Sequence, residues 1–249
     1  MQIIVNKLAT SYQRTGKGKP VLVLHGWGDS LKGWRQFSDL LSRRYEVVSV
    51  DLPGFGDTEQ PPEAWGLTEY AAFVAAFAEK LSLRPYAIIG HSNGGAIAIR
   101  GLATQTLSAE KLILLASAGI RGEYKGRTKV LRLMTKTGKL LTKPLPAAAK
   151  KKLQRKVYDT VGSDMLVAEG LQETFKRVVN DDVRADAAML KLPTLLIYGT
   201  DDAATPARYG RQFHEAIKGS RLEILPNTEH FLHLEQPDHV VRLAEEFLG

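Results

Sequence analysis

Ser92 stands in the run Gly90-His91-Ser92-Asn93-Gly94, with Gly95 directly after it. A short β-forming stretch, Pro85 to Ile89, leads in, and a helix-forming stretch, Ala96 to Leu102, leads out. A chain that must turn at once from strand to helix forces the corner residue into a strained backbone. Glycines two positions either side are needed there, because side chains would strike the neighbouring strand and helix. The corner hydroxyl is then lifted clear of the sheet, where it can act as a nucleophile. A plainer role for a serine before a helix is to cap it, but the strand-then-helix context favours the nucleophile.

A serine hydroxyl is a weak nucleophile at neutral pH. It needs a base to take its proton and a third group to orient that base. In an open parallel sheet such groups gather beyond the carboxyl ends of strands. Two later strand ends supply them: Gly199-Thr200-Asp201-Asp202 follows Thr194 to Tyr198, and Asn227-Thr228-Glu229-His230 follows Leu222 to Leu225. The other histidines suit the base less well. His233 lies a helical turn on and is expected to face away, as packing or rim, while His214 and His239 fall in helical stretches and read as surface. His25 is expected to brace its loop. His91 and the Trp27 indole either line an acyl pocket or pack. The chain has no cysteine and its six histidines show no metal-ligand spacing, so neither metal nor cofactor is called for.

The elements that must hold these residues alternate. Ile3 to Val5 and Leu8 to Tyr12 suit an opening hairpin. Val21 to Leu24 is a continuous apolar run, as a strand buried on both faces requires. It is followed by helical spacing at Trp34, Phe37, Leu40 and Leu41. Tyr45 to Val50, Lys111 to Ala116, Thr194 to Tyr198 and Leu222 to Leu225 read as further strands. Leu67 to Leu83, with Thr68 near its cap, Tyr209 to Ile217 and Val240 to Leu248 read as helices. Such alternation means a mostly parallel, doubly wound sheet with right-handed crossovers. Residues 119–190 break the rhythm; they are helix-like and contain no strong strand. They are expected to form a helical cap, or lid, inserted into a core made of residues 1–118 and 191–249.

The chain resembles the α/β-hydrolase superfamily, in its small-cap, single-domain branch, almost from end to end. His25-Gly26-Trp27-Gly28 is similar to that family's oxyanion loop, and Asp51-Leu52-Pro53-Gly54-Phe55-Gly56 to its D-x-P-G-x-G loop. Gly199 to Pro206 is similar to its G-x-x-D-x-x-T-P acid loop, and His230 to Pro237 to its H-x-x-x-x-E-x-P signature. The order Ser92, then an aspartate, then His230 is the order known for this fold. The resemblance implies Ser92 as nucleophile, His230 as general base and then acid, and Asp202 as its orienting partner. Asp201 is the competing acid, but the spacing to Thr205-Pro206 favours Asp202. The backbone N–H groups of Trp27 and Asn93 are the implied oxyanion donors. One departure is Glu229, where relatives usually carry glycine; its carboxylate would either raise the basicity of His230 or point to solvent.

Composition bounds the rest. The 249 residues carry a formal charge of +7, unevenly placed. Between residues 120 and 160 stand thirteen Lys/Arg against Glu123 and Asp159, a net +11, so the remainder carries −4. Val130, Leu133, Met134, Leu140 and Leu141 fall broadly on one side of a helix spanning 127–141, with the basic residues on the other. The simpler role for that helix is a roof over the site with solvated charges. The sharper one is recruitment of an anionic substrate, an acidic protein such as an acyl carrier, or a membrane surface. Nucleic acid is not expected, because no aromatic residues interleave with the basic ones. No apolar run is long enough for a transmembrane segment and no leader pattern opens the chain, so cytoplasmic residence is the default expectation.

The expected function is a serine hydrolase acting on carboxylic esters, or on lactones, through an acyl-enzyme. Serine at position 92 argues against the carboxylate-nucleophile dehalogenases and epoxide hydrolases that share the fold. The alternatives are a carrier-linked methyl ester or thioester hydrolase, a C–C bond hydrolase, and a ligand receptor on the same fold with little turnover.

Overall fold

A computed structural model describes residues 1–121 and 170–249. Its sheet has eight strands: β1 (Gln2–Val5), β2 (Leu8–Thr15), β3 (Pro20–Leu24), β4 (Glu46–Val50), β5 (Ala87–His91), β6 (Lys111–Leu115), β7 (Thr194–Gly199) and β8 (Arg221–Leu225). Their spatial order is β1-β2-β4-β3-β5-β6-β7-β8. The strands from β4 to β8 in that order run parallel, β2 lies antiparallel to β4, and β1 closes the edge as a hairpin with β2. Asn6 and Lys7, both at positive φ, make the two-residue turn of that hairpin, the geometry that matches strand twist.

The strand order decides where a site can form. β3 and β5 are neighbours, with Leu24 opposite Gly90, yet the chain leaves β3 for β4 on one side and returns to β5 on the other. A crevice opens at the carboxyl ends of two strands whose connections part in this way. The loop after β3 begins at His25, and Ser92 follows β5, so both meet at that crevice.

Alternate strand residues face two separate cores. Leu22, Leu24, Ile88, Leu112, Leu114 and Leu196 pack beneath Phe77, Ile97 and Phe213. These last belong to α2 (Leu67–Lys80), α3 (Asn93–Ala103) and α6 (Ala207–Ala216). Val21, Val23, Ile89, Ile113 and Ile197 pack on the opposite side beneath Trp34, Phe37 and Val240. Those come from α1 (Leu31–Leu41) and α8 (Pro237–Leu248). Burial on both faces is why β3, β5 and β6 read as unbroken apolar runs.

Several helix ends differ from the sequence reading, for local reasons. α2 is capped at Gly66 rather than near Thr68, because the Glu69 carboxylate reaches back to accept the Gly66 N–H at 2.8 Å. It stops at Lys80, before the expected Leu83, and Ser82 just beyond takes a left-handed φ of 49°. α8 starts at Pro237, ahead of the expected Val240, since proline suits a first helical position.

Of the expected cap, residues 122–169 lie outside the described residues, and with them the basic amphipathic segment 127–141. Its carboxyl-terminal part holds α4 (Gln172–Val179) and α5 (Arg184–Ala187). Arg100 of α3 fastens this part to the core: its guanidinium donates to Asp186 at 2.9 Å, Asp181 at 3.1 Å and Thr68 at 3.1 Å. The helix that starts at the strand-to-helix corner of Ser92, the elbow, is thereby tied to residues 181–186.

Candidate active site

Ser92 has φ 50° and ψ −115°, the strained corner that the strand-to-helix turn demands. Such a backbone costs about 1–3 kcal/mol and persists only when its surroundings fix it. Here the Ser92 N–H donates to Leu115 O at 3.0 Å and the Ala118 N–H donates to Ser92 O at 2.9 Å. The flanking glycines are dictated by crowding. A Cβ at Gly90 would lie 2.6 Å from Gly95 Cα, and one at Gly94 would run into the carbonyl oxygens of Leu24 and His25. The Ser92 side chain makes no capping hydrogen bond to α3, so the plainer role considered for it is unfilled.

The loop after β7 carries Asp202, whose side chain is fully buried. Its Oδ1 accepts the backbone N–H groups of Ala204 (2.7 Å) and Thr205 (2.9 Å). Its Oδ2 accepts His230 Nδ1 at 2.7 Å and lies 2.7 Å from the Thr205 hydroxyl. That hydroxyl also reaches Ala116 O at 2.8 Å, which ties the acid loop to the end of β6. Burial by itself would raise the Asp202 carboxyl. The hydrogen bond and charge of His230, with the Thr205 N–H and hydroxyl, outweigh it and hold the group below the ordinary carboxylate range. An ionised Asp202 only accepts, so the proton of its bond with His230 sits on Nδ1. Nε2 is left as the ring nitrogen able to take a proton. Asp201, the competing acid, is exposed and accepts the hydroxyl of its neighbour Thr200 at 2.8 Å, as a turn residue does.

His230 lies 13% exposed on the loop between β8 and the short helix α7 (Leu232–Glu235). Glu235 straps that loop. Its two carboxylate oxygens accept the N–H of Glu229 at 2.7 Å and of Phe231 at 3.2 Å, one on either side of His230. This gives the H-x-x-x-x-E-x-P spacing a physical reason: the glutamate holds the backbone that presents the histidine. Glu229 itself is exposed. The structure joins Asp202 and His230 directly and sets the loop that carries His230 against β5, with the His91 and His230 rings 4.8 Å apart. No hydrogen bond joins Ser92 Oγ to His230 among the described residues; the nitrogen of His230 that faces Asp202 is Nδ1.

Around these three the remaining residues sort by geometry. The loop after β3 turns between Gly26 and Asp29, whose N–H reaches Gly26 O at 3.3 Å, with Trp27 and Gly28 (φ 74°) at its corners. The Trp27 indole is flanked by Phe55 (4.8 Å between ring centres) and Phe175 of α4 (5.1 Å). Asn93 opens α3, and the first N–H groups of a helix have no partner within it. His25 braces, as expected: it is buried, its Nδ1 meets Gly26 O at 2.7 Å, and its Nε2 accepts the Leu52 N–H at 2.9 Å. That bond ties the loop after β3 to the Asp51–Gly56 loop, and burial keeps the ring neutral. His233 is packing rather than rim. It is fully buried and stacked on Trp34 with ring centres 4.0 Å apart, and burial lowers its pKa to about 3.

Thr205 and Glu235 hold Asp202 and the backbone beside His230, contacts that the sequence does not specify. Their signal was present only as fixed letters in two spaced motifs. Among the described residues no group of three His, Cys, Asp or Glu side chains could hold a metal ion, and no helix is long and apolar enough to cross a membrane.

A sequence model described as the alpha/beta hydrolase family matches residues 21–243. The chain is 28% identical to the AB hydrolase superfamily protein YisY of Bacillus subtilis, over 93% of this chain and 92% of that one. It is 26% identical to the 2-hydroxy-6-oxo-6-(2'-aminophenyl)hexa-2,4-dienoic acid hydrolase of Metapseudomonas resinovorans, over 96% of this chain and 87% of that one. Among solved structures it is similar to a membrane phospholipase A described as a bacterial virulence factor. That match has a TM-score of 0.78 and 25% identity, and covers 100% of this chain and 84% of the other.

Proposed function

The chain belongs to the alpha/beta hydrolase family, and on that premise we propose that it is a serine hydrolase cleaving carboxylic esters, lactones included, through an acyl-enzyme. The observation that carries this reading is the 2.7 Å bond between Asp202 and His230 Nδ1 beside a serine at φ 50°. As Ser92 Oγ attacks the carbonyl carbon, its proton passes to His230 Nε2. The buried Asp202 carboxylate stabilises the imidazolium that results. The oxyanion of the tetrahedral intermediate is received by the N–H groups of Trp27 and Asn93, worth about 3–4 kcal/mol each to the transition state. Collapse expels the alkoxide, which takes the proton from His230. Water then enters by the same route, giving its proton to His230, and the acid is released with Ser92 restored.

The experiment compares the protein with its Ser92→Ala variant on p-nitrophenyl acetate and butyrate and on a fluorophosphonate probe. Turnover and covalent labelling should both vanish in the variant; full retained turnover overturns the assignment. A near-stoichiometric burst in place of turnover would instead mark a ligand receptor. The dienoic acid hydrolase among the relatives favours one second reading, hydrolysis of a C–C bond beside a ketone. A panel of graded esters, lactones, a carrier-linked methyl ester and a 2-hydroxy-6-oxo-dienoate separates the two.

A further inference from the structure

The buried imidazole of His91 takes no part in the steps above, yet it stands where all the catalytic parts meet. Its backbone immediately precedes Ser92. Its ring lies so close to the loop after β3 that a Cβ on Gly26 would come within 2.8 Å of Nδ1 and 3.1 Å of Ser92 Cβ. Its Nε2 lies 3.0 Å from the main-chain oxygen of His230. A carbonyl only accepts, so Nε2 carries the proton and Nδ1 is a bare lone pair. That Nδ1 is buried without a partner. As mere packing, such a ring is a poor choice, because an apolar side chain of similar shape would leave no nitrogen unpaired. What the imidazole supplies and an apolar ring would not is the bond to residue 230.

We propose that His91 is a positioning residue whose Nε2–H, donated to the main-chain oxygen of His230, sets the distance between the Ser92 hydroxyl and the base. The inference rests on the reading of Ser92 and His230 as nucleophile and base. The other ties on the base come from elsewhere: Asp202 and Thr205 belong to the loop after β7, and Glu235 to α7. None of them refers to the elbow. Among the described hydrogen bonds, that of His91 runs directly from the elbow strand to the base loop. Burial, reinforced by the neighbouring His230 and His233, drives the basicity of His91 well below the ordinary value. The ring therefore stays neutral, and adds no positive charge beside His230 when that residue becomes protonated.

The test replaces His91 by Phe, Asn and Gln. Phenylalanine keeps a ring but no donor. The amide nitrogen of glutamine reaches about where Nε2 stands, whereas that of asparagine reaches only the position of Nδ1. His91→Phe and His91→Asn should lose roughly 10- to 100-fold in kcat with KM nearly unchanged, as a misplaced catalytic group does. His91→Gln should recover most of that loss. The strongly deshielded NMR proton of the His230–Asp202 bond should broaden in His91→Phe and persist in His91→Gln.

Wild-type kcat in a folded His91→Phe protein overturns the proposal. So does equal impairment of glutamine and asparagine variants that melt like the wild type. If the phenylalanine variant does not fold, the comparison of glutamine with asparagine decides alone. Ser92→Ala and His230→Ala are measured alongside. Activity retained in those two sinks the reading of the triad, whereas their loss with an indifferent His91 series sinks this inference only.

Discussion

Asp202→Asn is the substitution whose outcome the geometry specifies most closely. The two acid oxygens are not equivalent. Oδ1 faces the N–H groups of Ala204 and Thr205 at 2.7 and 2.9 Å, so that position must hold an acceptor. The carboxamide oxygen of an asparagine goes there, and its NH₂ is turned to His230 at the Oδ2 position. Two N–H groups cannot face each other across 2.7 Å, so His230 must shed its Nδ1 proton and carry it on Nε2. The wrong tautomer is then held in place, with no lone pair to take the proton of Ser92. The expected loss in kcat is about 10⁴-fold, close to 5.5 kcal/mol of barrier. Because shape and hydrogen-bond count are kept, thermal stability should fall little. Steady-state hydrolysis of p-nitrophenyl acetate, with phosphonate labelling and a melting curve, measures all three quantities. An asparagine variant within tenfold of wild type would refute the tautomer argument and the assignment of Asp202.

Two further outcomes follow from the surroundings of the base. Glu235→Ala removes the acceptor for the N–H groups flanking His230, and should lower kcat roughly tenfold by loosening the loop. Glu235→Gln, which keeps one good acceptor, should fall between, and equal rates for all three proteins would show that the strap is idle. Acid should also destabilise the fold well before carboxylates titrate. Burial pushes His25, His91 and His233 below the ordinary imidazole value of 6.5, His233 to about 3. As pH falls below 6.5 the unfolded chain binds protons at these rings and the native chain does not, so stability is lost as acid is added. Each ring contributes up to about 1.4 kcal/mol per pH unit over that window. The depressed Asp202 carboxyl adds a loss of the same sign only below its ordinary value of 3.8. Urea midpoints at pH 7 and pH 5 test this, and His233→Phe, which retains a ring on Trp34, should show the shallower fall. Equal midpoints at the two pH values would contradict it.

The sequence disclosed the architecture because each signal was local. Continuous apolar runs at β3, β5 and β6 need no partner to be recognised as buried strands. The glycines around Ser92 likewise report crowding that any strand-to-helix corner must create. Helix ends were less readable where a side chain reaches back, as Glu69 does to Gly66. A cap of that kind is a local hydrogen bond spanning three residues, which hydrophobic periodicity does not report.

The candidate site divides in the same way. Residue type and position after a strand end pointed to Ser92, His230 and the pair Asp201-Asp202, since chemistry restricts which side chains can serve; motif spacing then favoured Asp202. The order β4-β3-β5 decided that two of the loops share one crevice. Burial and pairing in the fold agree with the spacing to Thr205-Pro206 in favouring Asp202 over Asp201. The fold also turned His233 inward onto Trp34, and placed His91 between the loop after β3, Ser92 and the loop that carries His230. Those features depend on contacts between separate segments, 28 residues apart for Asp202 and His230 and 139 for His91 and His230. A hydrogen bond or an unpaired nitrogen at such a range belongs to the packed chain, and no spacing along the sequence encodes it.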